Sequence, residues 1–149
     1  MEQNNILYLT SDESVLFDNN YRYKISTIEV SHVIKKGTKI TQITNMDKFC
    51  KDLLFDKTIL IRIIGKKLSC KSGVDKFNTF YLQGDFTTNQ IKQVVYDFIT
   101  HYLLCVVCDK PEVKIKHKNN KIKQKCNACG NNSYLEHVDH IVLNILSKE

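Results

Sequence analysis

Cys105-Val106-Val107-Cys108, then seventeen residues, then Cys126-Asn127-Ala128-Cys129-Gly130 is the stretch that decides the fold of this chain. Each Cys-x-x-Cys closes a tight turn whose two sulfurs face the same way. A hairpin between two such turns brings four thiolates to one point, where Zn2+ takes them tetrahedrally. Gly130 lets the backbone after the second pair take a positive φ. A disulfide framework and a redox Cys-x-x-Cys are the competing readings. The first is disfavoured in a reducing compartment, and the second needs only one pair. Four thiolates close the coordination sphere, so one structural Zn2+ is expected, and the ribbon is expected to need it to fold. Cys50 reads as a small core residue, and Cys70 has no assignable place. His137 and His140, at i and i+3, form a weaker candidate pair for a metal.

Upstream of the ribbon, Thr87 with Gln90 fits a capping box. Ile91, Val94, Val95, Phe98, Ile99 and Tyr102 then recur at helical spacing, so a helix is expected to run straight into Cys105. Arg22 to Val33 and Lys39 to Thr44 read as a hairpin turning at Gly37, with a bulge where Ile40 and Ile43 fall out of step. Asn45 is expected to cap a helix to about Leu54. Asp56 to Lys67 fits a strand or a second short helix, ended by Gly65 or Gly73. Phe77 to Leu82 reads as a strand closed by Gly84, and Leu135 to Leu146 as a strand followed by a helix. The expected class is α+β: a small antiparallel sheet with about two packed helices, followed by a four-cysteine zinc ribbon. Three regions are expected: a flexible acidic tail over 1–20, an α/β domain over 21–104, and a ribbon with a C-terminal helix over 105–149.

Charge is unevenly placed along the 149 residues. Glu2, Asp12, Glu13 and Asp18 make the first twenty residues acidic, while Lys110 to Lys125 carries seven Lys against Glu112. A basic stripe suggests an anionic partner such as RNA, although a solvated hairpin explains the same lysines. Only two of the basic residues are Arg, Arg22 and Arg62, against twenty Lys. Abundant Lys, Ile and Asn reflect an AT-rich coding sequence, which weakens arguments from Lys and draws attention to each Arg. The start lacks a basic segment followed by an apolar one, and no apolar run can span a bilayer. A cytoplasmic protein with no membrane partner is expected. Gly65-Lys66-Lys67 lacks the first Gly and the hydroxyl residue of a phosphate-binding loop, so no GTP site of its own is expected.

Cys105-Val-Val-Cys-Asp-Lys-Pro-Glu112 and Cys126-Asn-Ala-Cys-Gly130, with Tyr96-Asp-Phe-Ile99 before them, resemble a segment shared by eukaryotic translation initiation factor 5 and the beta subunit of initiation factor 2. Tyr21-Arg-Tyr-Lys24 and the stretch Tyr134 to Lys148, with paired His and a closing Ile-Leu-Ser-Lys, resemble the N-terminal part of factor 5 in particular. The pattern departs at Ile25-Ser26-Thr27, where the family has Met-Pro-Arg. It departs again between Gly37-Thr-Lys39 and Asn45-Met46, which hold one extra residue. The family's C-terminal helical-repeat domain is not seen.

The resemblance implies a GTPase-activating factor for the GTPase subunit of initiation factor 2, acting near initiator tRNA on the small ribosomal subunit. Arg22 then inherits the role of an arginine finger, which neutralises charge on a transferring phosphoryl group. Tyr21, Lys24 and Lys39 become partner contacts. Lys114, Lys116, Lys118, Lys121, Lys123 and Lys125 become contacts to RNA phosphates. Two other classes compete: a constitutive beta-like subunit that binds without stimulating, and a zinc-ribbon RNA module with no link to GTP. The composition also suits a virus whose product acts in host cytoplasm.

Overall fold

The computed structural model describes residues 6–10 and 22–148. Two compact units emerge, one formed by Ser26–Val95 and the other by the N-terminal residues to Ile25 together with Tyr96 onward.

In the Ser26–Val95 unit the expected hairpin forms as β3 (Val30–Lys35) and β4 (Thr38–Ile43), while Lys24–Ser26, expected in its first strand, belongs to a separate two-stranded sheet. Its register runs unbroken from Val30↔Ile43 to Lys35↔Thr38, so there is no bulge. Both turn residues, Lys36 (φ 51°) and Gly37 (φ 76°), take positive φ, which suits the two-residue turn that matches strand twist. The sheet continues through β6 (Phe80–Gln83) to β5 (Ser72–Val74), in the order β3-β4-β6-β5 and antiparallel throughout. Thr41, Ile43, Phe80 and Leu82 share its buried face. The Thr41 hydroxyl is satisfied there, donating to the Gly84 carbonyl at 2.9 Å and accepting from the Phe86 amide at 3.1 Å.

Helices α1 (Met46–Leu53) and α2 (Lys57–Lys67) add Met46, Phe49, Cys50, Leu60, Ile61, Ile63 and Ile64 to this core. The ambiguous 56–67 segment is thus a helix. Asp56 decides it, accepting from the amides of Thr58 and Ile59 as an N-cap. Asn45 does not cap α1 with its side chain. It bridges the loop after β2 (Lys24–Ser26) instead, accepting from the Glu29 amide and donating to the Thr27 carbonyl, each within 2.9 Å. Cys50 is buried as expected; that burial, followed by the carboxylates of Asp56 and Asp47, pushes its thiol up to about 12. The capping box at Thr87 is formed in both directions, and opens α3 (Thr88–Phe98).

Gly65 does not end α2. It lies inside the helix, where a Cβ would sit 2.3 Å from Ser72 Oγ and 2.6 Å from Ser72 Cβ. Glycine is therefore what lets β5 approach the helix. In Gly65→Ala the gain in helix propensity, about 1 kcal/mol, competes with an overpacking cost of about 1–3 kcal/mol. We expect net destabilisation and a melting temperature lower by a few degrees, recovered in Gly65→Ala/Ser72→Gly; thermal unfolding of the three variants checks it.

The other unit begins with β1 (Ile6–Tyr8), paired with β2. Within the stretch expected to be a tail, Tyr8, Leu9 and Thr10 are buried, and the Thr10 hydroxyl reaches Asp109 of the ribbon, a partner that no local periodicity announces. Residues 11–20 and Tyr21 lie outside the described part. From α3 the chain passes through a π-helical turn, Ile99–Leu103, into the first knuckle. The ribbon sheet is β7 (Val113–Lys118), β8 (Lys121–Cys126) and β9 (Asn132–Tyr134), all antiparallel. Helix α4 (His140–Ser147) closes the unit with Val142, Ile145 and Leu146 buried. Its N-cap Asp139 accepts from the Ile141 amide at 2.7 Å and gives its own amide to the Tyr102 hydroxyl at 2.7 Å. No helix among the described residues is long and apolar enough to cross a membrane. The α+β class therefore stands, with 56–67 supplying an extra helix.

Candidate metal centre and basic face

The two knuckles are built alike. The Cys105 amide donates to the Lys110 carbonyl, and the Cys126 amide to the Asn131 carbonyl. The Asp109 amide returns to the Cys105 carbonyl, and the Gly130 amide to the Cys126 carbonyl. The amides of Val107 and Ala128 each donate to the sulfur two residues earlier, at 3.3 Å. Gly130 takes φ 79° as expected, and Asp109 takes φ 61° at the equivalent place in the first knuckle. Asp tolerates the left-handed region better than most residues, and here its carboxylate is also used: it accepts the Thr10 hydroxyl at 2.6 Å.

The four sulfurs lie within 4.8 Å of one another. Cys105 and Cys129 are 3.6 Å apart, and Cys108 and Cys126 are 3.7 Å apart. A disulfide requires about 2.05 Å. Four sulfurs at a zinc–sulfur distance of about 2.3 Å lie about 3.8 Å apart at tetrahedral vertices. The donor set therefore fits a metal ion of that size and not a pair of disulfides. Burial works against a charge on Cys105, yet amide donation from Cys108 and Val107 brings its thiol down to about 7. For Cys108 the Lys110 amide pulls downward, but burial and the neighbouring thiols push it up to about 12. Thiolate charges at this spacing oppose one another. A cation that displaces the remaining protons resolves that conflict. Among the described residues these four cysteines form the only group of three or more candidate ligands, so His137 and His140 build no such cluster.

Gln124, to which no sequence signal pointed, anchors the first knuckle. It is fully buried, donates to the carbonyls of Tyr102 (3.1 Å) and Leu104 (2.8 Å), and accepts from the Val106 amide (3.1 Å). A Gln surrounded by Lys at alternate positions gives no sign of being the inward one until the β8 register is known.

Arg22 is exposed, with its guanidinium 5.5 Å from the ring centre of Tyr23. The Tyr23 carbonyl accepts the Leu9 amide, and its phenol lies against Glu112, just beyond the first knuckle. Partial burial, then the Glu112 charge, raises the Tyr23 phenol above its ordinary value. Through Thr10–Asp109 and Tyr23–Glu112, the segment carrying Arg22 rests on the ribbon. Lys24 lies half-buried in β2 of the same segment. Lys39 belongs to the other unit, where it pairs with Asp85 at 3.7 Å.

All six ribbon lysines fall on one face. Lys114 stands opposite Lys125, Lys116 opposite Lys123 and Lys118 opposite Lys121, joined by an Asn119-Asn120 turn with both φ positive. Val113, Ile115 and His117 point to the other side, opposite Cys126, Gln124 and Ile122. Directly opposed like charges disfavour a strand pair, so three successive Lys–Lys pairs carry a cost that bound anions would relieve. β9 extends the face: Tyr134 is paired to Lys123, and its ring centre lies 5.7 Å from Lys121 Nζ and 5.9 Å from Lys123 Nζ.

This α+β chain with a four-cysteine ribbon matches, over residues 12–132, the family described as a domain found in initiation factors 2B and 5. The chain belongs to that family, one of translation initiation factors. It is 32% identical over 112 residues to eukaryotic translation initiation factor 5 of Caenorhabditis elegans, covering 74% of this chain and 26% of that protein. To the factor 5 of Drosophila melanogaster it is 30% identical over 132 residues, 86% of this chain and 28% of that protein. To eukaryotic translation initiation factor 2 subunit 2 of Dictyostelium discoideum it is 26% identical over 103 residues, 69% of this chain and 32% of that protein. The chain thus aligns with about a third or less of the length of each of these relatives. The resemblance to factor 5 and the beta subunit drawn from the motifs is borne out.

Proposed function

We propose that this chain is a GTPase-activating translation initiation factor that acts on the GTPase subunit of initiation factor 2, beside initiator tRNA on the small ribosomal subunit. One structural Zn2+ occupies the four-thiolate site and supplies a cross-link between the two knuckles. The observation that carries the reading is the placement of Arg22: exposed, on a segment tied to a metal knuckle by Thr10–Asp109 and Tyr23–Glu112, in a chain of this family. A guanidinium held this way meets a phosphoryl group in trans with little conformational freedom left to lose. Tyr21, Lys24 and Lys39 remain partner-contact candidates, with Lys39 reaching a partner only by releasing Asp85. Hydrolysis of GTP by reconstituted factor 2, with and without the chain, tests the reading.

The matches to beta subunits favour a second reading, a stoichiometric partner that binds the GTPase subunit without accelerating it. Tight binding with unchanged hydrolysis would select it.

The six-lysine face is assigned to RNA phosphates under either reading. If all six engage single-stranded RNA, the slope of log K against log salt is about −4, and each Lys→Ala flattens it by about 0.7. Anisotropy titrations at several salt concentrations check this. A slope near zero would return the lysines to the role of a solvated hairpin.

A further inference from the structure

We propose that the β7–β9 face selects unpaired RNA, and that Tyr134 is the platform on which an exposed base stacks. This rests on the assignment of the lysine face to RNA. Phosphate contacts alone do not read whether a base is paired, since a single strand and a duplex both present phosphates. An aromatic ring among the lysines does, because only an unpaired base offers its face to it.

Three observations place the ring for this role. Tyr134 is 40% exposed although it lies in a strand whose next residue, Leu135, is buried. It stands on the lysine face by register, with the ammonium groups of Lys121 and Lys123 at 5.7 and 5.9 Å from its ring centre. Beside it opens a recess of about 410 Å³ lined by Asn120, Lys121, Tyr134, Leu135, Glu136 and Val138. Its lining divides by chemistry. Leu135 and Val138 are apolar. The Asn120 amide and the Glu136 carboxylate can meet the polar edge of a base, and Glu136 repels a phosphate. The backbone of a bound strand therefore follows the lysines, and one base turns into the recess. There it stacks on Tyr134 and draws Lys121 and Lys123 toward the flanking phosphates.

Stacking on an aromatic side chain is sequence-tolerant and is lost with the ring. With a labelled single-stranded RNA decamer, Tyr134→Ala weakens binding by roughly 5- to 100-fold. The salt slope stays the same, because no phosphate contact has been removed. Binding of a duplex of the same length is unaltered. Tyr134→Phe and Tyr134→Trp retain single-strand binding, which keeps the test sound even where the Ala variant folds poorly. Retained metal and an unchanged melting temperature verify each variant. Equal loss for single strand and duplex in Tyr134→Ala would overturn the proposal, as would full loss in Tyr134→Phe. So would competition by polyglutamate as effective as by single-stranded RNA, which would mark a general anion face. If the wild-type chain binds no RNA of either form, the assignment of the lysine face fails first.

Discussion

With the proposed zinc removed by a chelator at neutral pH, the chain is expected to lose β7, β8, β9 and α4 together, while the β3–β6 sheet with α1 and α2 stays folded. The ribbon unit has a modest core: Tyr8, Leu9, Phe98, Ile99, Tyr102, Leu103, Leu104, Val113, Ile122, Leu135, Val142, Ile145 and Leu146 are buried, and the polar Gln124 is buried with them. Its strands carry three opposed Lys pairs. Its knuckles hold sulfurs 3.6 and 3.7 Å apart, a spacing whose charge only a cation reconciles. Metal-coupled folding of four-ligand zinc modules is worth about 10–16 kcal/mol, more than such a core supplies. The Ser26–Val95 unit has its own core, in which Leu60, Ile63, Ile64, Leu82 and Ile91 are fully buried. Far-UV circular dichroism and amide NMR peak counts, before chelation and after zinc is restored, check this. Cys126→Ser is expected to mimic the chelated state. Release of the knuckle is also expected to free β1 and β2, since Thr10 holds to Asp109 and Tyr23 lies against Glu112, so chelation is expected to remove the proposed GTPase stimulation even though Arg22 is untouched.

On the proposed function, Arg22→Ala is expected to remove the stimulation directly. If the guanidinium neutralises charge on the transferring phosphoryl group, its loss lowers the stimulated rate by roughly 10³- to 10⁵-fold. Binding to the GTPase subunit is expected to change less than the rate, because the guanidinium meets charge that develops only in the transition state. Arg22→Lys fails to rescue: an ammonium keeps the charge but loses the planar fork that spans two phosphoryl oxygens. Pulldown with the GTPase subunit and single-turnover hydrolysis together separate this outcome from a folding defect.

The four-cysteine cluster is legible because its chemistry is written in fixed local spacing. Two Cys-x-x-Cys pairs demand the same turn wherever they occur, and the Thr87 capping box is local in the same way. The helix at 56–67 could not be separated from a strand, because an Ile-rich segment suits either, and the deciding group is one carboxylate at Asp56. The strand at Ile6–Tyr8 escaped because its pairing partner is Lys24–Ser26 and its docking surface is the knuckle roughly a hundred residues away. The lysines were visible as a charge run, but their common face became visible only with the register set by the Asn119-Asn120 turn. Tyr134 was read as part of a family pattern, and its place between Lys121 and Lys123 depends on β9 joining β8 in the right frame.

The activity proposed for this chain is acceleration of GTP hydrolysis in trans. The most direct measurement is single-turnover hydrolysis by initiation factor 2 loaded with initiator tRNA on small ribosomal subunits, with the zinc-loaded chain added in excess. The expected result is a rise in rate of several orders of magnitude over the unstimulated complex. An unchanged rate, with the chain demonstrably bound to the GTPase subunit, would contradict it.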